Sequence, residues 1–288
     1  MKGKRHKIKL VFWNNSPNFG DALSPWLVSK LTNATIIEKQ HYSSIRISFK
    51  TLIYNLLHLK LSSIKKILWP WENNFIAVGS VITYGNSNST IWGSGYMTNS
   101  EHTTKPHKVL AVRGKYSAEK LFAEHRIKCE TFGDPALLLS LLIPPAPKVY
   151  KIGIIPHWKE VEFFKSTYGN DYLIIDLRTT DIEQIVSQIT SCYCTLCSSL
   201  HGIIVSHAYN IPSLWIKMGN IGTDGFKFYD YFSSVGINNY DGFSTEIIRN
   251  FDEHFKKNSS LALPSIDIAN IQKGLLDCFP FKQTRRLL

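Results

Sequence analysis

Thr195-Leu196-Cys197-Ser198-Ser199-Leu200-His201-Gly202-Ile203-Ile204-Val205-Ser206-His207-Ala208-Tyr209-Asn210-Ile211-Pro212-Ser213-Leu214 is the stretch on which the fold class turns. The apolar, β-favouring run over residues 189–196 reads as a short buried strand. After it Ile203, Ile204 and His207 recur at helical spacing, and Pro212 closes the segment. A strand that gives way to a helix is the junction at which an open α/β sheet binds anions and does chemistry. His201 and Gly202 then sit near a helix N-terminus, where free N–H groups and the positive end of the helix dipole favour a phosphate or carboxylate. An imidazole in that field either passes a proton to a bound ligand or is a core histidine with its bonds satisfied.

The same alternation extends outward in both directions. Residues 7–13 read as a first strand, 21–31 as a helix, 34–37, 74–78, 89–92 and 108–112 as strands, 117–125 as a helix and 129–132 as a further strand. Pro135 and the apolar run 137–142 follow, and Pro144-Pro145-Ala146-Pro147 forms a stiff linker. A second series starts at Lys151-Ile152-Gly153-Ile154-Ile155. It continues through a strand at 172–176, a helix at 181–190, a strand at 191–196, the helix at 201–209 and a last helix at 266–277. Strands alternating with helices imply parallel sheets with right-handed crossovers, here two Rossmann-like domains, 1–147 and 148–288, facing a cleft. The last helix is placed back on the first domain.

Composition narrows the partners. The chain has 288 residues, 44% of them hydrophobic and 12% aromatic, which suits globular domains able to bury their own cores. Its 33 Lys and Arg against 22 Asp and Glu give a net charge of +11, so an anionic partner is expected. The cations are dispersed and no nucleic-acid-binding signature appears, so nucleic acid is not the partner expected. No apolar run reaches the roughly 18 residues of a spanning helix, and the N-terminus is too quickly polar for a signal peptide; a cytoplasmic location is expected. Cys192, Cys194 and Cys197 alternate along a strand and so point to opposite faces; they read as core thiols rather than as a metal cluster.

Several short motifs fall at strand ends. Asn18-Phe19-Gly20-Asp21 opens the first helix, and Asp21 either caps it or faces the cleft. Gly79-Ser80 and Trp92-Gly93-Ser94-Gly95 are small-residue loops that let a ligand approach backbone. Neither is a dinucleotide fingerprint or a phosphate-binding Walker loop. Val112-Arg113-Gly114 sets an arginine between a strand and a helix, a position suited to bidentate grip of a carboxylate or phosphate.

In this order, those motifs together with Gly133-Asp134-Pro135, Ser199-Leu200-His201-Gly202 and Lys227-Phe228-Tyr229-Asp230-Tyr231 resemble the polysaccharide pyruvyl transferase family. Ile155-Pro156-His157-Trp158 looks like its bacterial exopolysaccharide and capsule branch. The resemblance implies a GT-B-like fold, with the acceptor on the first domain and the donor on the second. It implies phosphoenolpyruvate as co-substrate, no metal and no cofactor, and a pyruvate ketal placed on a hexose of a surface-polysaccharide precursor carried on undecaprenyl pyrophosphate. Within that chemistry His201 is the acid that protonates the enol carbon and Asp21 accepts the hydroxyl proton. Arg113, Lys227, Ser198, Ser199, Gly202, His157, Asn18, Ser80 and Ser94 are the expected substrate contacts. Ser199 stands where some members carry an arginine, so the grip on the donor passes to Arg113, Lys227 or the backbone around His201. A GT-B glycosyltransferase with a nucleotide-sugar donor is the alternative; it would need a base and ribose site in the second domain, and this sequence has no acidic ribose ligand at the expected place after a glycine loop.

Residues 43–69 stand apart from this scheme. Apolar side chains there are interleaved with Arg46, Lys50, Lys60, Lys65 and Lys66, and no acidic residue occurs. The stretch reads either as a peripheral contact with an anionic membrane, at the inner face of the plasma membrane, or as a core helix with a solvated lysine edge.

Overall fold

The computed structural model describes residues 6–42, 45–219, 223–284 and 287. Strands β1 (Lys7–Val11), β2 (Thr35–Lys39), β3 (Asn74–Ile76), β4 (Ser89–Trp92) and β5 (Lys108–Ala111) form one sheet in the order β2-β1-β3-β4-β5. Strands β6 (Tyr150–Ile155), β7 (Leu173–Ile174), β8 (Cys192–Cys197) and β9 (Ser213–Trp215) form a second, in the order β7-β6-β8-β9. Every pairing in both sheets is parallel. Parallel strands require crossover segments, and those segments supply the helices that cover the sheets.

The helices are α1 (Phe19–Thr32), α2 (Ile45–Leu57), α3 (Leu61–Ile64), α4 (Lys115–His125), α5 (Val161–Tyr168), α6 (Ile182–Thr190), α7 (Leu200–Ala208), α8 (Phe226–Val235), α9 (Phe251–Lys257), α10 (Ser259–Ala262) and α11 (Ile268–Asp277). Helix α1 packs on α6, and α7 packs on a 3-10 helix at Pro135–Leu141, so elements from the two halves meet directly. One apolar core runs through both, from Leu10, Phe19, Leu27 and Trp92 to Ile155, Ile185, Ile203 and Phe232. Helix α11 returns to the first sheet: Trp92 Nε1 donates to the Leu275 carbonyl at 2.8 Å, and Phe279 packs on Trp92 at 4.6 Å between ring centroids.

The described elements include β9, α5, α8 and α9, which the sequence reading did not place, and they differ from it or decide between its alternatives elsewhere. Residues 129–132 form no strand; only an isolated bridge joins Val112 to Phe132, because Gly133 turns the chain away at φ +140°. The run at 137–142 is a 3-10 helix capped by Asp134, whose Oδ1 accepts from Ala136 N. β7 is two residues long, since Asp176 beyond it is held by Arg178 and Lys165. Finally, α2 is not a core helix: its buried residues are Ser48 and Asn55, and its apolar side chains face outward.

Candidate active site

The C-terminal ends of strands from both sheets supply the walls of one cavity of about 360 Å³. Trp13, Ser16 and Asn18 follow β1, Ser80 follows β3, His157 follows β6, and Ser199 and His201 follow β8; Asp21 and Lys227 complete it from α1 and α8. Such strand ends are where open parallel sheets hold ligands, because the backbone there no longer pairs within the sheet.

Helix α1 enters the site through a side-chain cap. Asn18 Oδ1 accepts from Gly20 N at 2.9 Å, so Asn18, not Asp21, is the cap, and Asp21 is left to face the cavity. Burial pushes the Asp21 carboxyl up to about 7, with Lys227 pulling it back. Gly20 is required by contact: a Cβ there would stand 2.1 Å from His201 Nδ1. The His201 ring therefore packs against bare backbone of α1.

His201 is the second residue of α7, whose first turn has no side-chain cap from Ser199. Its open N–H groups lie beside the cavity. The imidazole is not a satisfied core histidine, because its buried Nε2 has no hydrogen-bond partner among the described residues. Burial, Lys227 and Arg113 depress it to about 3. It is therefore neutral at physiological pH in the ligand-free protein, whereas the sequence reading gave it the role of proton donor. His157 is similar, with Nδ1 buried and unpartnered and its ring depressed to about 4 by burial, Lys227 and Lys159.

Lys227 is the hub of this field. It is 7% exposed and has no hydrogen bond or ion pair among the described residues. Burial, and then Arg113, lower its ammonium to about 8, against the pull of Asp21 and Glu160. Glu160, which has no sequence signal, stands behind it: Oε2 accepts from Ser198 Oγ at 2.5 Å while Oε1 is buried with no hydrogen-bond partner among the described residues.

Arg113 requires a correction. Expected to grip an anion, it is fully buried and does not line the cavity. Its Nε donates to Asp230 Oδ2 at 2.9 Å, NH2 to the Tyr96 carbonyl at 2.6 Å and NH1 to Ser80 Oγ at 2.5 Å. Asp230 also accepts from Ser117 N and Oγ, at 2.8 and 2.7 Å. With its oxygen occupied by Arg113, Ser80 has its own O–H free to donate into the cavity. A Cβ at Gly114 would strike the Asp230 carbonyl oxygen at 1.7 Å, and one at Gly95 would meet the Arg113 guanidinium at 2.7 Å. The glycines of separate motifs thus serve one buried ion pair.

Three other expected contacts also lie behind the wall. Ser94 Oγ donates to the Gly79 carbonyl at 2.7 Å, Ser198 Oγ accepts from His157 N at 2.8 Å, and Gly202 packs on Ile155 and Cys197. They shape the loops and do not reach the cavity. Trp158, from the Ile155-Pro156-His157-Trp158 motif, lines it, as do Trp13 and Tyr84, which carried no local sequence signal. All five cysteines are free thiols, and among the described residues no group of three or more His, Cys, Asp or Glu could hold a metal ion.

The family model for polysaccharide pyruvyl transferase matches residues 18–220, which span the first of the quoted motifs through α7 and β9. An uncharacterized protein of Acanthamoeba polyphaga mimivirus is 30% identical over 277 residues, covering 92% of this chain and 86% of its own length.

Proposed function

The chain belongs to the polysaccharide pyruvyl transferase family, and from that premise we propose that it transfers pyruvate from phosphoenolpyruvate to two hydroxyls of a hexose, forming a ketal and releasing phosphate. The observation that carries this reading is Lys227, a buried ammonium with no ion pair among the described residues, set beside two histidines whose buried ring nitrogens have no hydrogen-bond partner among those residues. A buried cation of this kind is stabilised by an anion. A carboxylate and a phosphate on one small ligand suit Lys227, the Ser80 hydroxyl and the open first turn of α7.

The proton inventory supports the following order of steps. At about 7, Asp21 holds a proton in a large share of molecules at neutral pH, and it delivers that proton to the methylene carbon of the donor. The adjacent carbon becomes cationic. A sugar hydroxyl bonds to it and gives its proton to neutral His201. The carbon–oxygen bond to phosphate breaks, the second hydroxyl forms the second carbon–oxygen bond, and its proton leaves on the phosphate. His201 returns its proton to Asp21 through solvent, so the cycle is redox-neutral and closes. These roles are exchanged relative to the sequence expectation. Trp13 and Tyr84, with ring centroids 6.3 Å apart, offer the apolar face of the sugar a platform on the side of the first sheet. On this reading the two halves act as GT-B-like acceptor and donor sides.

Ligand-induced stabilisation tests the donor. Phosphoenolpyruvate raises the melting temperature of the native protein, and Lys227→Ala loses that rise. Stabilisation by a uridine diphosphate sugar with none by phosphoenolpyruvate would assign the site to a glycosyltransferase instead.

A further inference from the structure

Helix α2 and the turn after it show an inverted arrangement. Of the thirteen residues of α2, the two that are buried are Ser48 and Asn55, whereas Ile45, Phe49, Ile53 and Leu56 stand 48–56% exposed along one stripe. The end of α2, the turn beyond it and the start of α3 are more exposed still, with Leu57 at 76%, Leu59 at 83% and Leu61 at 62%. Leu59 is held there at φ +52°, a left-handed conformation that a leucine rarely adopts. Its own N–H donates to the Leu56 carbonyl at 3.1 Å, and Lys60 N donates to the Asn55 carbonyl at 2.8 Å, so the turn is fixed. Trp71, 65% exposed and stacked on Trp69, extends the patch.

A water-facing apolar surface of this size marks an interaction site. Its charge says with what. Arg46, Lys50 and Lys65 are exposed and have no ion pair among the described residues, and Lys60 lies over the Tyr54 ring. No acidic residue occurs between 43 and 69. A second copy of the chain would set these cations, and two net charges of +11, against each other. Leucines at a fixed tip, tryptophans at its edge and cations around it match the layers of an anionic bilayer surface: hydrocarbon, interface and headgroup.

We propose that α2 and the turn at 57–61 dock the protein on anionic membrane lipid. No helix among the described residues is long and apolar enough to cross a membrane, so the contact is interfacial. The chain reaches α2 from Gln40, His41 and Tyr42, which wall a second cavity of about 440 Å³ that shares Trp13 and Tyr84 with the main one. On the reading of the preceding subsection, which the docking itself does not need, a membrane-borne saccharide meets the site from this cavity.

Sedimentation with vesicles tests the proposal without any turnover assay. The native protein binds vesicles of equal parts phosphatidylglycerol and phosphatidylcholine, does not bind phosphatidylcholine alone, and is released by salt. Arg46→Glu with Lys50→Glu lowers the affinity by about fivefold or more per cation, and Leu57→Ser with Leu59→Ser and Leu61→Ser removes binding while the melting temperature is kept. Absence of native binding to the anionic vesicles, or variants that bind as the native protein does, overturns it. So does a dimer that the leucine variant dissociates while the native protein ignores vesicles, which would make the patch a self-association surface.

Discussion

Asp21 carries the sharpest consequence of the site's electrostatics. Its folded pKa, about 7, lies above the ordinary carboxyl value of 3.8, so the folded chain keeps a proton that the unfolded chain releases. The stability linked to that proton is present at low pH and is lost as pH rises through about 7. An asparagine at this position would carry no charge to bury. Asp21→Asn therefore raises the stability above pH 7 by about 1–3 kcal/mol while turnover falls by roughly 100-fold or more, and the melting-temperature gap closes below about pH 4. A variant that keeps turnover removes Asp21 as the acid. Lys227 adds a second limb. Its ammonium, lowered to about 8, must be charged to hold an anion, so kcat/KM for the donor falls once above pH 7 and more steeply above pH 8. Lys227→Arg keeps the first fall and loses the second, as read from pH–rate profiles.

At the scale of elements, the close approach of α1 and α7 turns on one glycine. Gly20→Ala improves helix propensity by about 1 kcal/mol, yet its methyl would displace the His201 ring. The clash outweighs that gain, so the expected outcome is a lower melting temperature with turnover reduced about tenfold or more, checked by paired melting and rate measurements. Strands and helices of the two sheets were legible in the sequence because their apolar runs and end residues agree; the step from β8 to α7 falls within a residue or two of where Ser198-Ser199 places it. The apolar run 137–142 was given no element from sequence, because length and hydrophobicity do not separate a 3-10 turn from an α-helix. Arg113 was misread for a different reason. Its place between strand and helix is that of an anion ligand, but its partner Asp230 lies 117 residues away, and only the fold brings them together. Arg113→Ala leaves that carboxylate buried and uncompensated, and costs about 3–5 kcal/mol in a denaturant melt. Glu160, Trp13 and Tyr84 were invisible for the same reason, since nothing local marks a wall built by distant segments.

Over the whole molecule, the two sheets share one core and aim their strand ends at one cavity, which joins a buried cation, a protonatable carboxyl and neutral imidazoles. On the two proposals made above, part of the excess positive charge serves the donor at Lys227 and part serves lipid at the α2 patch. At the centre stands the proposal that phosphoenolpyruvate gives its three-carbon unit to a sugar with a proton added at the methylene carbon. Carbon NMR of the reaction with labelled phosphoenolpyruvate and a panel of nitrophenyl hexosides in heavy water tests it directly. The expected result is a new ketal carbon bonded to a methyl group carrying one deuterium, formed in step with released phosphate and lost in Asp21→Asn. Phosphate released without a ketal, or no consumption of phosphoenolpyruvate with any hexose in the panel, would contradict it.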